Sequence, residues 1–427
     1  MGRTQQFGRE DVIDAAFAAW GKSSFQECSL KQVADHMGFS KTALYRCFSS
    51  KEDLIRGMEE ALLTKYMKTL GRFAEEVSRE PKADELIEKY FSSITGYFAE
   101  SPEYLYFLIS RFLNSQEARE TYMEIIGTRE LPLITDLLRR IAPARSEEEI
   151  SGAAWFLRDS VFFWVMSLFG GGIHAVYTCG EKPTAVITEA ERILPTVRTV
   201  TLSGVFSGGI PGPDRLKELL EQVWLRPQEV PAPPAIFEAI ERVITAQGYE
   251  KASLEKIARE MNMDKSSMYY FFKNKESLLE ETMLRENETF LNLLEIKMAN
   301  SVDPKERIWI YQVLVCSYAV MRPELLTVLH WTLYQNFSLG VPEKAVRKSI
   351  LELERLIRNT GWNFEDVRLL EPVQLLAYVY FLVSRHLHRS WDRLGEESPF
   401  EILEPLYRYI GRGLGGFALT RKQGESI

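Results

Sequence analysis

Apolar residues fall at i, i+3, i+4, i+7 and i+8 in Val12, Ala15, Ala16, Ala19 and Trp20, a stripe that predicts an amphipathic helix. The pattern returns position for position at Ile236, Ala239, Ile240, Val243 and Ile244. A second stripe, Leu30, Val33, Ala34 and Met37, is mirrored by Leu254, Ile257, Ala258 and Met261. Ser29 stands where an N-cap belongs and Gln32 three residues on completes a capping box. Ser253 caps too, but faces Lys256, so its box is incomplete. After a short break, "GFS" or "NMD", Ser40 and Asp264 are placed to cap a third helix. That helix is expected to bury Leu44, Cys47 and Phe48, matched by Met268, Phe271 and Phe272. Ser50 and Asn274 then open a fourth, "KEDL" and "KESL". Two short helices across a tight turn, braced by a preceding helix, make a helix-turn-helix.

The repetition is literal as well as periodic. Val12 to Ile55 aligns without a gap on Ile236 to Leu279, with identities at Ser29/Ser253, Lys41/Lys265, Tyr45/Tyr269, Phe48/Phe272 and Lys51/Lys275 among others. A shift of 224 residues far exceeds the roughly 20–50 of solenoid repeats, so whole domains are duplicated. Each copy is followed by a long aromatic-rich stretch of helical periodicity, broken at proline or glycine and without a convincing alternating strand. The fold class is therefore all-α. Between the halves, "SGGIPGPDRL" and "RPQEVPAPP" are loop-formers flanking a short helical pattern, "LKELLEQVW". The expected division is a first helix-turn-helix domain at 1–56, a helical domain at 57–207, a linker at 208–234, a second helix-turn-helix domain at 235–280 and a second helical domain at 281–427.

Composition narrows the function classes. A chain of 427 residues that is 45% apolar has material for two to three packed domains. No secretory signal is readable at the N-terminus, so a cytoplasmic location is expected. The greasiest segment, Trp155 to Phe169, contains Arg158 and Asp159 and falls short of the roughly 18 uncharged residues of a membrane span. The four cysteines lack C-x-x-C spacing, and His386 and His388, two apart, point to different sides of a helix. No hydrolase, phosphate-loop, metalloprotease or dinucleotide motif is present. Neither enzymatic activity nor a metal or cofactor is expected. The net charge of −8 excludes a protein coated in basic surface but not a local nucleic-acid footprint.

The phrases "SLKQVADHMGFSKTALYRCFSSKEDLI" and "SLEKIAREMNMDKSSMYYFFKNKESLL" resemble the DNA-binding domain of TetR/AcrR-type transcriptional regulators. Such regulators pair a three-helix DNA reader with a helical effector-binding and dimerising domain and work as homodimers, so this chain resembles two subunits fused. Two departures stand out: the turn glycine survives as Gly38 but is Asn262 in the second copy, and Ser24 stands where the second copy has Gly248.

The resemblance implies that the helix starting near Lys41 or Lys265 enters the major groove of double-stranded operator DNA. Lys41, Thr42, Tyr45 and Arg46 in one copy, and Lys265, Ser266, Tyr269 and Tyr270 in the other, face away from the apolar stripe. Lys51 and Lys275, at a helix start, are implied phosphate contacts, and the capping Ser29 and Ser253 are placed with them. Tyr and Lys on a helical surface are ordinarily just solvated; their duplication at identical spacing favours the DNA reading. From Ser29 to Arg56 there are five basic and three acidic residues, against five and five from Ser253 to Glu280, so the second copy is expected to bind more weakly.

Two unlike heads imply an asymmetric operator. The expected protein is a repressor, one chain acting as an intramolecular pseudo-dimer with further pairing left open, and a small hydrophobic effector modulates it. Aromatic candidates for the effector pocket are Tyr104, Phe107, Phe112, Trp155, Phe163, Trp331, Tyr334 and Tyr378, although at helical spacing such residues more often form core. The alternative reading is a helical protein-interaction scaffold with a degenerate second head.

Overall fold

A computed structural model describes residues 7–20, 29–77, 79–170, 183–232, 235–247, 252–323, 343–362 and 370–418. Helices make up the fold. The first half runs α1 (Arg9–Trp20), α2 (Leu30–Met37), α3 (Lys41–Leu44), α4 (Lys51–Glu76), α5 (Ala83–Glu100), α6 (Pro102–Asn114), α7 (Gln116–Ile125), a π-helical stretch (Ile126–Glu130), α8 (Leu131–Ile141), α9 (Glu147–Gly170) and α10 (Pro183–Ser203). The connector holds α11 (Pro213–Val223). The second half runs α12 (Ala235–Gln247), α13 (Leu254–Glu260), α14 (Lys265–Phe271), α15 (Lys275–Met298), α16 (Pro304–Met321), α17 (Glu343–Asn359), α18 (Pro372–Ser390) and α19 (Pro399–Ala418).

Local chemistry sets the helix starts. Ser29 accepts from the Gln32 amide while Gln32 Oε1 accepts from the Ser29 amide, so the capping box closes. Ser40 and Ser50 cap α3 and α4 in the same way, and Asn274 caps α15. Asp264 occupies the cap position of α14 but makes no side-chain cap bond. Gly38 ends α2 at φ +70°, and its counterpart Asn262 takes the same left-handed conformation at φ +53°, which asparagine tolerates better than other side chains.

The division expected at residue 56 falls inside α4, and the one at 280 inside α15. Each helix-turn-helix is thus continuous with the bundle behind it through one rigid helix. The connector is packed as well: Trp309 donates its indole N–H to the Leu216 carbonyl at 2.8 Å, and Arg215 makes two bonds to Glu306, each at 2.9 Å.

The halves meet where α9 and α10 pack against α18 and α19. Ser160 Oγ lies 3.0 Å from Thr201 Oγ1 and 2.9 Å from the Tyr378 hydroxyl, and Phe156 stacks on Tyr409 at 5.2 Å. At the base the backbones touch, with the Val205 amide donating to Ile410 O at 2.9 Å. Gly204, at φ +72°, would put a Cβ 2.2 Å from Gly411 O, and Gly413, at φ +58°, would put one 2.5 Å from Gly204 N. The obstacle in each case is backbone, which cannot swing aside. Gly204→Ala is therefore expected to cost about 3 kcal/mol or more, combining left-handed strain with a clash; urea denaturation of the variant beside the native chain measures it.

Candidate nucleic-acid interface and internal cavity

The two helix-turn-helix units display their candidate DNA residues. Lys41, Thr42, Tyr45 and Arg46 are all exposed, as are Lys265, Ser266, Tyr269 and Tyr270. Tyr45 and Tyr269 are 47% and 48% exposed, an equality that places the two copies in the same local register. Each lies beneath its lysine, with Nζ 5.8 Å from the ring centroid in both. Lys51 and Lys275 are half-buried at the first positions of α4 and α15. Ser29 and Ser253 serve as N-caps.

The heads differ in what surrounds these groups. Glu255, standing where the first copy has Lys31, binds Lys265 at 3.1 Å and Arg259 at 3.7 Å, which holds the Glu255 carboxyl below its ordinary range. Arg9 clamps the first head only: its guanidinium donates to the Cys47 carbonyl at 2.9 Å, pairs with Asp53 at 3.2 Å and covers the Phe48 ring at 4.1 Å.

The expectation that Phe271 is buried fails. Phe48 is 2% exposed, but Phe271 is 66% exposed and Phe272 half-buried. Phe271 answers to Cys47, whereas Phe272 answers to Phe48; for that pair Gly57 supplies the reason, since a Cβ there would sit 2.9 Å from Phe48, and the corresponding residue on α15 is Glu281. The notch that admits Phe48 has no equivalent in the second head, whose helix α14 presents Tyr269, Tyr270 and Phe271 to solvent.

Behind the first head lies an apolar cavity that opens to the surface. Leu62, Leu63 and Tyr66 of α4 form one wall, Tyr90, Ile94, Tyr97 and Phe98 of α5 another, and α6, α7, α9 and α18 contribute Phe112, Tyr122, Phe162 and Arg385. The wider turn of the π-helical stretch ends on Glu130, 1% exposed. Glu130 accepts from the Tyr66 hydroxyl at 2.7 Å, from the Tyr90 hydroxyl, and from Arg158 at 3.3 Å. Arg158 also binds Asp159 at 3.0 Å, and Asp159 binds Arg389 at 2.5 Å. Burial alone would raise the Asp159 carboxyl, but Arg389, Arg385 and Arg158 together hold it below its ordinary range.

Of the aromatic residues expected around an effector, Phe112 lines this cavity. Tyr104 and Phe107 instead pack on Phe17 of α1, at 4.7 and 5.3 Å between centroids. Trp155 lies under Arg389 at 4.2 Å. Phe163 and Tyr378 meet across the contact between halves at 5.1 Å. Trp331 and Tyr334 lie outside the described residues. Sequence reasoning missed Glu130, Arg158 and Arg385. The available signal was a charged pair, Arg158 and Asp159, in the most apolar stretch of the chain.

Beside the network, His386 sits with Nε2 2.8 Å from the Ile402 carbonyl, donating to it in the neutral form. Burial, and then the nearby Arg389, push its pKa down to about 4. Because the folded value lies below the unfolded one, near 6.5, protonation favours unfolding. The stability it preserves is complete above about pH 6.5 and falls by up to about 3 kcal/mol as the pH drops toward 4. His386→Gln is expected to flatten this part of the pH profile, as read by urea midpoints at pH 7 and 4.5.

Residues 12–58 and 236–282 each match the family described as bacterial regulatory proteins, tetR family. No curated protein matches the chain. Among solved structures it is similar to the fatty acid degradation regulator FadR from Bacillus halodurans, at 19% identity over 42% of this chain and 94% of that one, with a TM-score of 0.32. A likeness that low carries no argument about ligand or mechanism.

Proposed function

This chain is a tetR-family regulator carrying the family's DNA-binding domain twice, and on that premise we propose that it represses transcription by setting two unlike heads on the unlike halves of one operator. The observation that carries the reading is the matched display of Lys41, Thr42, Tyr45 and Arg46 with Lys265, Ser266, Tyr269 and Tyr270, on two heads whose bundles pack into one body. The single chain acts as its own dimer, and the seam between its units lies in the connector at 208–234. Lysine and arginine of the first head suit guanine edges, whereas the aromatic surface of the second suits thymine methyl groups. Tyr45, Tyr269, Lys51 and Lys275 anchor phosphates.

The cavity supplies control. Helix α4 begins at Lys51 in the head and lines the cavity from Leu62, about 17 Å along the same helix. A ligand that displaces the α4 wall therefore moves the head. Weakening operator binding a hundredfold requires about 2.7 kcal/mol of difference in ligand affinity between the two arrangements.

A second reading is favoured by the Lys265–Glu255 pair: the chain is a helical protein-interaction scaffold with a degenerate second DNA-binding head and no specific operator. Titration against labelled DNA from upstream of the protein's own gene, with scrambled DNA as control and a salt series, separates the readings. A regulator prefers the native fragment and weakens steeply with salt; a scaffold retains neither property.

A further inference from the structure

We infer that the cavity takes an apolar molecule bearing a single negative charge, and that Arg385, from the second half of the chain, receives its head group. The inference rests on the reading of the cavity as the effector site and goes on to give the effector its chemistry.

The argument begins with charge. Two buried guanidinium groups, Arg158 and Arg385, and the half-buried Arg389 stand together with two buried carboxylates, Glu130 and Asp159, which leaves one positive charge in excess. An unbalanced charge in so apolar a setting is costly, and a bound anion relieves it.

Hydrogen bonding locates the excess. Both carboxylates are already engaged, Glu130 by two tyrosines and Arg158, Asp159 by Arg158 and Arg389. Arg385 is the member left over. It lies 3.7 Å from Asp159, too far for a hydrogen bond, and its Nε is buried without an acceptor. The Tyr122 hydroxyl is buried without a partner as well, and both residues line the cavity. Buried donors with no acceptor are rare in folded proteins, and here two of them border one apolar cavity.

The remaining walls exclude other head groups. A cationic ligand would find Glu130 already occupied and would add to the positive excess. A neutral one would leave Arg385 uncompensated. A dianion would overshoot the single surplus charge. A carboxylate on an apolar body matches the donors and the walls together.

The position of Arg385 adds a consequence. It stands on α18, one of the helices by which the halves meet, whereas the apolar walls belong to the first half. The site is complete only in the fused chain, and its occupant ties the α4 lever to the contact between halves.

Isothermal titration of the full chain with decanoate and 1-decanol, and with 1-naphthoate and 1-naphthalenemethanol, tests the head group with two bodies. For at least one body the acid is expected to bind about ten- to a hundredfold more tightly than its alcohol, the range of a charge-assisted hydrogen bond in a buried site. Arg385→Met should abolish that preference while alcohol binding persists, and Arg385→Lys should keep part of it. The comparison of acid with alcohol on the unaltered chain stands even where a variant fails to fold. Equal binding of acid and alcohol overturns the anion assignment and leaves the effector cavity intact. If none of the four probes binds a chain that still binds DNA, the assignment falls and the effector reading falls with it.

Discussion

Lys41→Ala is expected to lower affinity for the operator by about ten- to a hundredfold, the loss of one base-edge or phosphate contact, while Lys265→Ala lowers it by much less. Both lysines are exposed and both lie over a tyrosine ring. Only Lys265 is held at 3.1 Å by a carboxylate, Glu255. To reach DNA it must give up that partner, and Glu255 itself repels phosphate. The complementary variant makes the argument stricter. Glu255→Lys, which copies Lys31 of the first head, is expected to raise affinity at low salt by about tenfold and to steepen the salt dependence by about one counterion. Fluorescence anisotropy across a salt series measures both. Equal losses from the two lysine variants would mean that the ion pair does not set the heads apart.

Asp159→Ala is expected to be the most damaging single substitution for stability, at about 3–5 kcal/mol. Asp159 is 1% exposed and neutralises Arg158 and Arg389 directly, with Arg385 at 3.7 Å. Its removal leaves the buried Arg158 and Arg385 and the half-buried Arg389 facing Glu130 alone. Since α9 carries Asp159 and α18 carries Arg385 and Arg389, the damage falls on the contact between halves. Ser160→Ala, which removes the neutral bonds to Thr201 and Tyr378 next door, is expected to cost only about 1–2 kcal/mol. Urea denaturation of the two variants side by side gives the comparison. Similar losses for both would mean that packing, not charge, holds the halves together.

The heads were legible in the sequence because their signals are local. Caps at Ser29, Ser40, Ser50 and Asn274, stripes at helical spacing and a left-handed turn residue at Gly38 or Asn262 each act within a few residues. The cavity was not legible, because its walls come from helices that periodicity cannot bring together. The repeat itself is lost there for a definite reason. Between the starts of α4 and α5 lie 32 residues, from 51 to 83, and between those of α15 and α16 only 29, from 275 to 304, so an ungapped comparison slips by three.

Counted from the helix starts, Tyr311 and Tyr318 answer to Tyr90 and Tyr97, and Glu286 answers to Leu62. The Tyr97 hydroxyl donates to the Leu62 carbonyl, and the Tyr318 hydroxyl to the Glu286 carboxylate. Arg322 stands 3.7 Å from Glu286. An apolar wall in one half is thus an ion pair in the other. Phe272 is only half-buried where Phe48 is buried for a related reason, since whether a position at helical spacing is buried depends on the facing helix, and a glycine at residue 57 has become a glutamate at 281.

The central claim is that one chain reads two unlike half-sites. Selection of bound duplexes from a randomised pool, followed by native mass spectrometry of the preferred complex, tests it directly. The account predicts a site without two-fold symmetry, occupied by a single chain. A palindromic site carrying two chains, each engaged through its first head alone, would contradict it.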